Sequence, residues 1–150
     1  MSVSRYSVLV SVDESYADQV AAEWIGGIAR RVLEAEGVPA AELGVLVTGD
    51  ETVRALNRDY AGEDETTDVL SFSLREGEEF VDAPDGIVRL GEVIIAYPTA
   101  ERQAAGAGRP TAVEVAHLLV HGVLHLLGYD HAEPEEERRM RAREQELLST

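Results

Sequence analysis

The stretch HGVLHLLGYDH, at residues 121–131, constrains the fold of this chain more than any other feature. It places His125 four residues after His121 and His131 six residues after His125, with Gly128 in between. Residues four apart lie on one face of an α-helix, and a glycine lets the chain turn back where a helix ends. The spacing therefore predicts a helix that carries two imidazoles and a turn that returns a third to the same point.

Three converging imidazoles are a typical metal site. The chain has no cysteine, so its metal ligands are nitrogen and oxygen atoms. This donor set favours zinc and leaves nickel, copper and manganese open. Three protein ligands leave one coordination position for reactants, which is typical of catalytic zinc and indicates hydrolysis. We predict one Zn²⁺ ion held by His121, His125 and His131.

Two further residues lie close to this set. His117 precedes His121 by one helical turn, but the helical rise separates it from His125 by about 12 Å, too far for both to bind one ion. We therefore expect His117 to have a supporting or packing role. We expect Asp130 to orient a ligand imidazole or to contact substrate, with replacement of His131 as a ligand left open.

The hydrophobic pattern predicts one α/β domain over residues 1–150, with a small mixed sheet of about four strands and surrounding helices. We expect strands at 5–12, 43–47, 69–74 and 87–96, and helices at 17–36, 50–60, 98–106, from 111 through the histidines, and at 133–148. Expected features within these elements are an Asp50 cap, a Thr111–Glu114 capping box, an apolar stripe of Val20, Trp24, Ile28 and Val32, a helix stop at Gly37, ion pairs Glu135–Arg139 and Glu137–Arg141, and an exposed acidic loop at 76–86.

Charge and hydropathy limit the classes of partner. With 29 acidic and 13 basic residues, the formal net charge is −16, which argues against broad electrostatic binding of nucleic acid or an anionic membrane. A substrate that carries phosphate must therefore bind locally. No segment approaches the roughly 18–20 apolar residues of a membrane span, and the first residues do not resemble a secretory signal. We expect a cytoplasmic protein.

The histidine spacing also occurs in the metzincin proteases, whose pattern HExxHxxGxxH has a general-base glutamate beside the first histidine. Gly122 occupies that position here. A chain without this base is less suited to amide hydrolysis, so a metallopeptidase is the less favoured alternative.

Four sequence blocks resemble one family in the same order: LNRDY at 56–60, TDVLSF at 67–72, LGEVIIA at 90–96 and HLLVHGVLHLLGYDH at 117–131. They resemble the YbeY family of bacterial endoribonucleases and ribosomal RNA maturation factors. The resemblance implies a zinc-dependent hydrolase specific for single-stranded RNA, which acts in 3′-end maturation of 16S ribosomal RNA and in ribosome quality control. It also implies a zincin-like metal-binding helix against a small sheet, and RNA and the ribosome as partners; the acidic charge of the chain adds basic ribosomal proteins.

One position departs from the family pattern. An arginine usually follows the tyrosine of the LNxxY block, and this chain has Ala61 there. We hypothesise that Arg58, with Arg54 one turn back, contacts substrate phosphate instead; a role limited to the helix surface is the alternative. Asp68 and Glu92 are expected to support the site or to assist proton transfer, with turn hydrogen bonding as the alternative.

Two mechanistic questions stay open at this point. Either water or the 2′-hydroxyl of the RNA can be the nucleophile, since both are compatible with these residues. A non-catalytic assembly factor that uses the metal to stabilise its fold is a further alternative, because an acidic protein would be attracted to basic ribosomal proteins.

Overall fold

The computed structural model describes residues 5–74, 86–130 and 132–149. The elements follow in the order β1 (Tyr6–Val12), α1 (Ala22–Ala35), β2 (Ala41–Thr48), α2 (Asp50–Leu56), β3 (Val69–Ser73), β4 (Val88–Ala96), α3 (Tyr97–Ala107), α4 (Thr111–Leu126) and α5 (Pro134–Leu148). A 3₁₀ turn, Glu14–Tyr16, precedes α1, and a π-helical turn, Asn57–Ala61, follows α2. The predicted acidic loop lies outside the described residues except at its last residue, Gly86.

The four strands form one mixed sheet in the order β1-β2-β4-β3. β1, β2 and β4 are parallel, and β3 runs antiparallel to β4 at one edge. Parallel strands that are covered on both faces read as continuous apolar runs, as residues 93–96 at the end of β4 do. The α/β class and the four-stranded mixed sheet are confirmed.

Helices cover both faces of the sheet. On one face α1 and α4 pack against inward side chains of the strands, and the core there includes Ile28, Val32, Val45, Val93 and Leu119. On the opposite face α2 covers a smaller cluster built from Val53, Ile94 and Ala96, with Leu46, Leu56, Leu70 and Phe72 packed against it. Alternate residues of a strand point to opposite faces, so this division follows directly from the strand sequences.

α4 is the central helix, with contacts to α1, α3, α5, β3 and β4. Its apolar residues are buried nearly all round, as its sequence predicts. The close approach to the sheet occurs at Gly122, whose carbonyl accepts a hydrogen bond from the Ser71 hydroxyl at 3.1 Å. A Cβ atom at Gly122 would lie 2.6 Å from the nearer methyl carbon of Val93. The glycine therefore sets the distance between α4 and the sheet.

One predicted helix start and one predicted helix cap in the first half of the chain are corrected. α1 begins at Ala22 and not at residue 17, because Asp13 accepts from the Ser15 amide and starts a separate 3₁₀ turn. Gly49 is the N-cap of α2 and makes no side-chain cap bond. The Asp50 side chain instead accepts hydrogen bonds from Thr99 and Arg102 of α3.

In the second half, the capping box is wrong. Pro110 occupies the N-cap of α4 with no side-chain cap bond, and Glu114 is drawn into an ion pair with Arg109. In α5, Glu137 pairs with Arg141 as expected, whereas Glu135 pairs with Arg138 and not with Arg139.

Some expectations for α1 hold. Val20, Ile28 and Val32 are buried, and Gly37 follows the helix with a φ of 71°. Trp24 remains 39 % exposed at the edge of the stripe. Within the described ranges, no helix combines the length and the apolar character needed to cross a membrane.

Candidate metal centre

Three histidines lie one turn apart along α4. The side chains of His117 and His121 are 32 % and 30 % exposed, and His125 is exposed. Since residues four apart share a helical face, His121 and His125 point to the same side. His131, the third predicted ligand, lies outside the described residues.

A buried carboxylate joins two of these histidines. Glu144 of α5 is 4 % exposed. Its Oε2 lies 2.6 Å from Nδ1 of His121, and its Oε1 lies 3.1 Å from Nε2 of His117. One side chain on α5 therefore holds two successive turns of α4.

The contacts continue beyond His117. Arg109 donates from one guanidinium nitrogen to both carboxylate oxygens of Glu114, at 3.0 and 2.8 Å. The Nδ1 atom of His117 lies 3.5 Å from that same nitrogen of Arg109 and 3.8 Å from Glu114 Oε1. Glu114 is 6 % exposed, whereas the side chain of Arg109 is 38 % exposed, so only the carboxylate of this pair is buried. His117 thus connects two largely buried carboxylates, which is the geometry of a supporting residue.

These contacts shift two pKa values. Burial alone would raise the pKa of Glu144, but the hydrogen bonds from His117 and His121 outweigh it and lower the pKa from 4.5 to about 2. The hydrogen bond to Glu144 raises the pKa of His117 against the opposing effect of its burial. Glu144 is therefore an anion at neutral pH and accepts from both imidazoles.

A cavity of about 420 Å³ opens beside the histidines, between α4, α5 and the start of β3. His117, His121 and Glu144 line it, together with Asp68 and Arg141. The buried side chains of Leu118 and Met140 supply apolar surface. The cavity therefore offers acidic, basic and apolar groups next to a predicted metal ligand.

Three other predicted site residues lie away from this cavity. Arg58 lies in the turn after α2, donates to Asp59 at 3.1 Å and is not among the described residues that line the cavity. Glu92 is exposed, and because its neighbour Val93 faces α4, it points to the opposite face of the sheet. Asp130 is exposed in the turn after α4 and lines a separate depression. Of Asp68 and Glu92, the two acidic residues proposed from the sequence, Asp68 is the one among the described residues that lines the cavity.

Sequence reasoning missed Glu144, because α5 reads as a charged surface helix. A signal was present, since Glu144 follows the apolar residue Met140 by four positions and therefore shares its face. Met140 is 1 % exposed, so that face is turned inward. A glutamate on the inward face of a helix requires a polar partner.

The arrangement fits a metal ion. Metal-ligating histidines usually donate their second ring nitrogen to a carboxylate or carbonyl group, and His121 does so to Glu144. Two imidazoles one turn apart with a nitrogen and oxygen donor set suit zinc. Among the residues that the structure describes, no group of three potential ligands is arranged around one point, and the third predicted ligand is not one of them.

Comparison with known proteins gives a consistent result. The family profile described as "Endoribonuclease YbeY" matches residues 9–150. The chain is 48 % identical over 117 residues to Endoribonuclease YbeY of Desulforamulus reducens, a match that covers 77 % of this chain and 76 % of that protein. It is 44 % identical over 148 residues to Endoribonuclease YbeY of Chloroflexus aurantiacus, with 96 % and 94 % covered.

The fold has a solved counterpart. The solution structure of TM1509 from Thermotoga maritima superposes with a TM-score of 0.63, at 23 % identity, and covers 95 % of this chain and 86 % of that one. At this identity the likeness concerns the fold. The profile match over nearly the whole chain and the identities above 40 % decide the family: the chain belongs to the YbeY endoribonuclease family.

Proposed function

We propose that the protein is a zinc-dependent endoribonuclease that cleaves single-stranded RNA. In this proposal residues 1–150 form one metal-dependent hydrolase domain, and His121, His125 and His131 hold the ion. Its cellular role would be the maturation of the 3′ end of 16S ribosomal RNA and ribosome quality control, in the cytoplasm and in contact with the ribosome and its basic proteins.

One observation carries this proposal. His121 is held by a buried carboxylate while it lines a 420 Å³ cavity that opens to solvent. A structural metal site is enclosed by its ligands, whereas a catalytic site adjoins space for a substrate. The relatives named Endoribonuclease YbeY, which match over most of the chain, supply the substrate class.

The chemistry divides between the ion and the side chains of the cavity. When bound, zinc would polarise the scissile phosphodiester and stabilise charge on its oxygens. Asp68, the residue before β3, brings a carboxylate to the cavity and accepts a hydrogen bond from Gln103 at 3.3 Å. We propose that Asp68 accepts a proton during the reaction. Asp68→Asn should lower kcat without changing metal content, and an unchanged kcat would remove Asp68 from the mechanism.

Substrate phosphate requires a local cation because the net charge is −16. Arg141 lines the cavity with 74 % of its side chain exposed, so it is placed to contact the phosphate next to the cleavage site. Arg58 remains our proposed contact for RNA that extends past the β3 edge. Arg141→Ala and Arg58→Ala should each raise KM and reduce its salt dependence. Arg138→Ala is the matched control on α5, since Arg138 pairs with Glu135 away from the cavity.

Asp130 is predicted from the sequence to orient a ligand histidine or to contact substrate, and its proposed role differs from that of Glu144. It is exposed in the turn that leads to His131. We propose that it contacts substrate or supports His131, whereas the carboxylate that contacts His121 is Glu144. Asp130→Asn should therefore change KM or metal content, and a variant that changes neither would exclude both roles.

The peptidase alternative loses support from the position of Gly122. Its Cα faces Val93 and Ser71 of the sheet, so a glutamate there would enter the sheet contact and not the cavity. The assembly-factor alternative retains one observation in its favour, the strongly acidic charge, which would attract basic ribosomal proteins.

The deciding experiment combines elemental analysis with RNA cleavage. The purified protein should contain about one zinc ion per chain and cleave single-stranded RNA, and His121→Ala, His125→Ala and His131→Ala should lose both metal and cleavage. Glu146→Gln, an exposed substitution on α5, should retain both. A metal-loaded protein that leaves single-stranded RNA intact, and whose histidine variants lose only thermal stability, would instead establish the assembly factor.

Product analysis then identifies the nucleophile. A 2′,3′-cyclic phosphate end is produced by attack of the RNA 2′-hydroxyl, whereas attack by water leaves a linear phosphate. The side chains in the cavity are compatible with both routes, so this measurement follows the cleavage test.

A further inference from the structure

We propose that Glu144 is a positioning residue of the metal centre: it orients His121 so that this ligand binds the ion through Nε2, and His117 holds Glu144 in place. The inference rests on the proposed function, because it concerns the same ion. It adds α5 to the metal centre, although every predicted ligand precedes that helix.

The first step concerns the His121 ring. In a neutral imidazole, one nitrogen carries the proton and the other carries the lone pair that binds a metal. Nδ1 of His121 lies 2.6 Å from Glu144 Oε2. With both oxygens of Glu144 facing imidazole nitrogens, the carboxylate is the acceptor, so the proton of a neutral His121 ring is at Nδ1 and the lone pair is at Nε2.

The second step concerns the carboxylate itself. A glutamate side chain that makes one hydrogen bond can still rotate about its last carbon bond. Here the second oxygen, Oε1, is engaged by Nε2 of His117 at 3.1 Å. Both oxygens are thus held by residues one turn apart on the same helix. His117 therefore acts on the metal site through Glu144 and not as a ligand.

The third step concerns the anchoring of α5. Arg143 of this helix donates to Glu36 at 2.5 Å and to the carbonyl oxygen of Ala35 at 3.1 Å, both at the end of α1. Met140, one turn before Glu144, is fully buried in the core. These contacts set the position of α5 independently of the histidines. Glu144 consequently presents a fixed acceptor to His121 before any ion binds.

The most direct test uses the unaltered protein without metal. Nitrogen NMR of the imidazoles, recorded at a pH where the histidines are neutral, reports which ring nitrogen carries the proton. We expect the Nδ1–H tautomer at His121. A ring protonated at Nε2 would overturn the proposal, and this measurement does not depend on whether any variant folds.

Metal affinity of variants provides the second test, measured by competition with a chromophoric zinc chelator in the absence of RNA. Glu144→Gln offers one acceptor oxygen for two imidazoles, so zinc affinity should fall by about 10- to 100-fold. His117→Gln should cause a smaller loss, because Glu144 then keeps its bond to His121. Glu146→Gln, two positions along the same helix and exposed, is the control and should bind zinc as the parent does.

Two outcomes would contradict the proposal. If folded Glu144→Gln binds zinc as tightly as the control, Glu144 does not position the ligand. If it loses zinc as completely as His121→Ala, Glu144 is itself a ligand. Visible spectra of the cobalt-loaded variants would separate these cases, because loss of a ligand would change the spectrum of the bound ion, whereas loss of an orienting group would leave the ligand set and the spectrum as in the parent.

Failure of this inference is distinguishable from failure of the proposed function. A protein that binds zinc with the expected tautomer and affinities but does not cleave RNA would remove the nuclease and leave the role of Glu144 intact. A protein that cleaves RNA normally while Glu144→Gln retains full zinc affinity would remove only this inference.

Discussion

Gly122→Ala is expected to destabilise the protein, although alanine is the better helix former. In the interior of an exposed helix, glycine to alanine gains about 1 kcal/mol. At Gly122 the added Cβ would lie 2.6 and 3.2 Å from the two methyl carbons of Val93 and 3.3 Å from the Ser71 hydroxyl. Val93 is fully buried, so it cannot move out of the way into solvent.

The magnitude follows from these contacts. Overpacking a core typically costs about 1 to 3 kcal/mol. Moving α4 outward would also weaken the hydrogen bond from Ser71 to the Gly122 carbonyl, at a cost of about 1 kcal/mol. After subtraction of the helix-propensity gain, we expect a net loss of about 1 to 3 kcal/mol. For a chain of this size, each kcal/mol lowers Tm by about 2 to 4 °C.

The assay is equilibrium unfolding of the metal-free protein, so that ion binding does not contribute. Gly27→Ala on α1 is the matched control: apart from its chain neighbours and the backbone of its own helix, no atom lies within 4 Å of its added Cβ, and it should gain stability. In a double-mutant cycle, Val93→Ala should be less destabilising in the presence of Gly122→Ala than alone, because it removes the overlapping methyl groups. If Gly122→Ala were stabilising to the same extent as Gly27→Ala, the proposed contact between α4 and the sheet would be refuted.

Three further predictions concern other contacts. Burial alone would raise the pKa of Asp50, but hydrogen bonds from Arg102 and Thr99 lower it below 3.8. Asp50→Asn should therefore lower the free energy of unfolding by about 1 kcal/mol at neutral pH. In urea unfolding, the difference in this free energy between the parent and the variant should shrink as the pH falls below about 4, because Asp50 of the parent is then protonated. A difference that does not depend on pH would contradict this assignment. Tyr6→Phe removes the buried hydrogen bond to the Val38 carbonyl and should cost about 1 to 2 kcal/mol, and an unchanged unfolding midpoint would show that this bond contributes nothing. Removal of zinc by a chelator should lower Tm, since an ion present at about a hundredfold excess over its Kd adds about 2.7 kcal/mol to stability; equal melting curves with and without zinc would argue against a bound ion.

The fold class and the positions of the strands could be predicted from local patterns. Residues 93–96 of β4 and most of α4 are apolar, and such runs are buried almost regardless of their surroundings. The ends of elements were less predictable because side chains found distant partners. Asp50 does not cap α2, since its carboxylate is taken by residues of α3 that are about fifty positions away. Glu114 similarly bonds Arg109 and forms no capping box.

In the candidate site too, some features follow from local sequence and others depend on contacts between distant residues. The spacing of His121 and His125 is a local property of one helix, so the sequence alone determines that they share a face. It also determines the absence of thiolate ligands and of a glutamate at position 122. Tertiary structure alone decided that Gly122 faces the sheet, that the cavity contains Arg141 and not Arg58, and that Glu144 contacts His121. The physical reason is that helical periodicity relates residues within about one turn, whereas the partner of Glu144 lies 23 residues away and is reached only when α5 packs against α4.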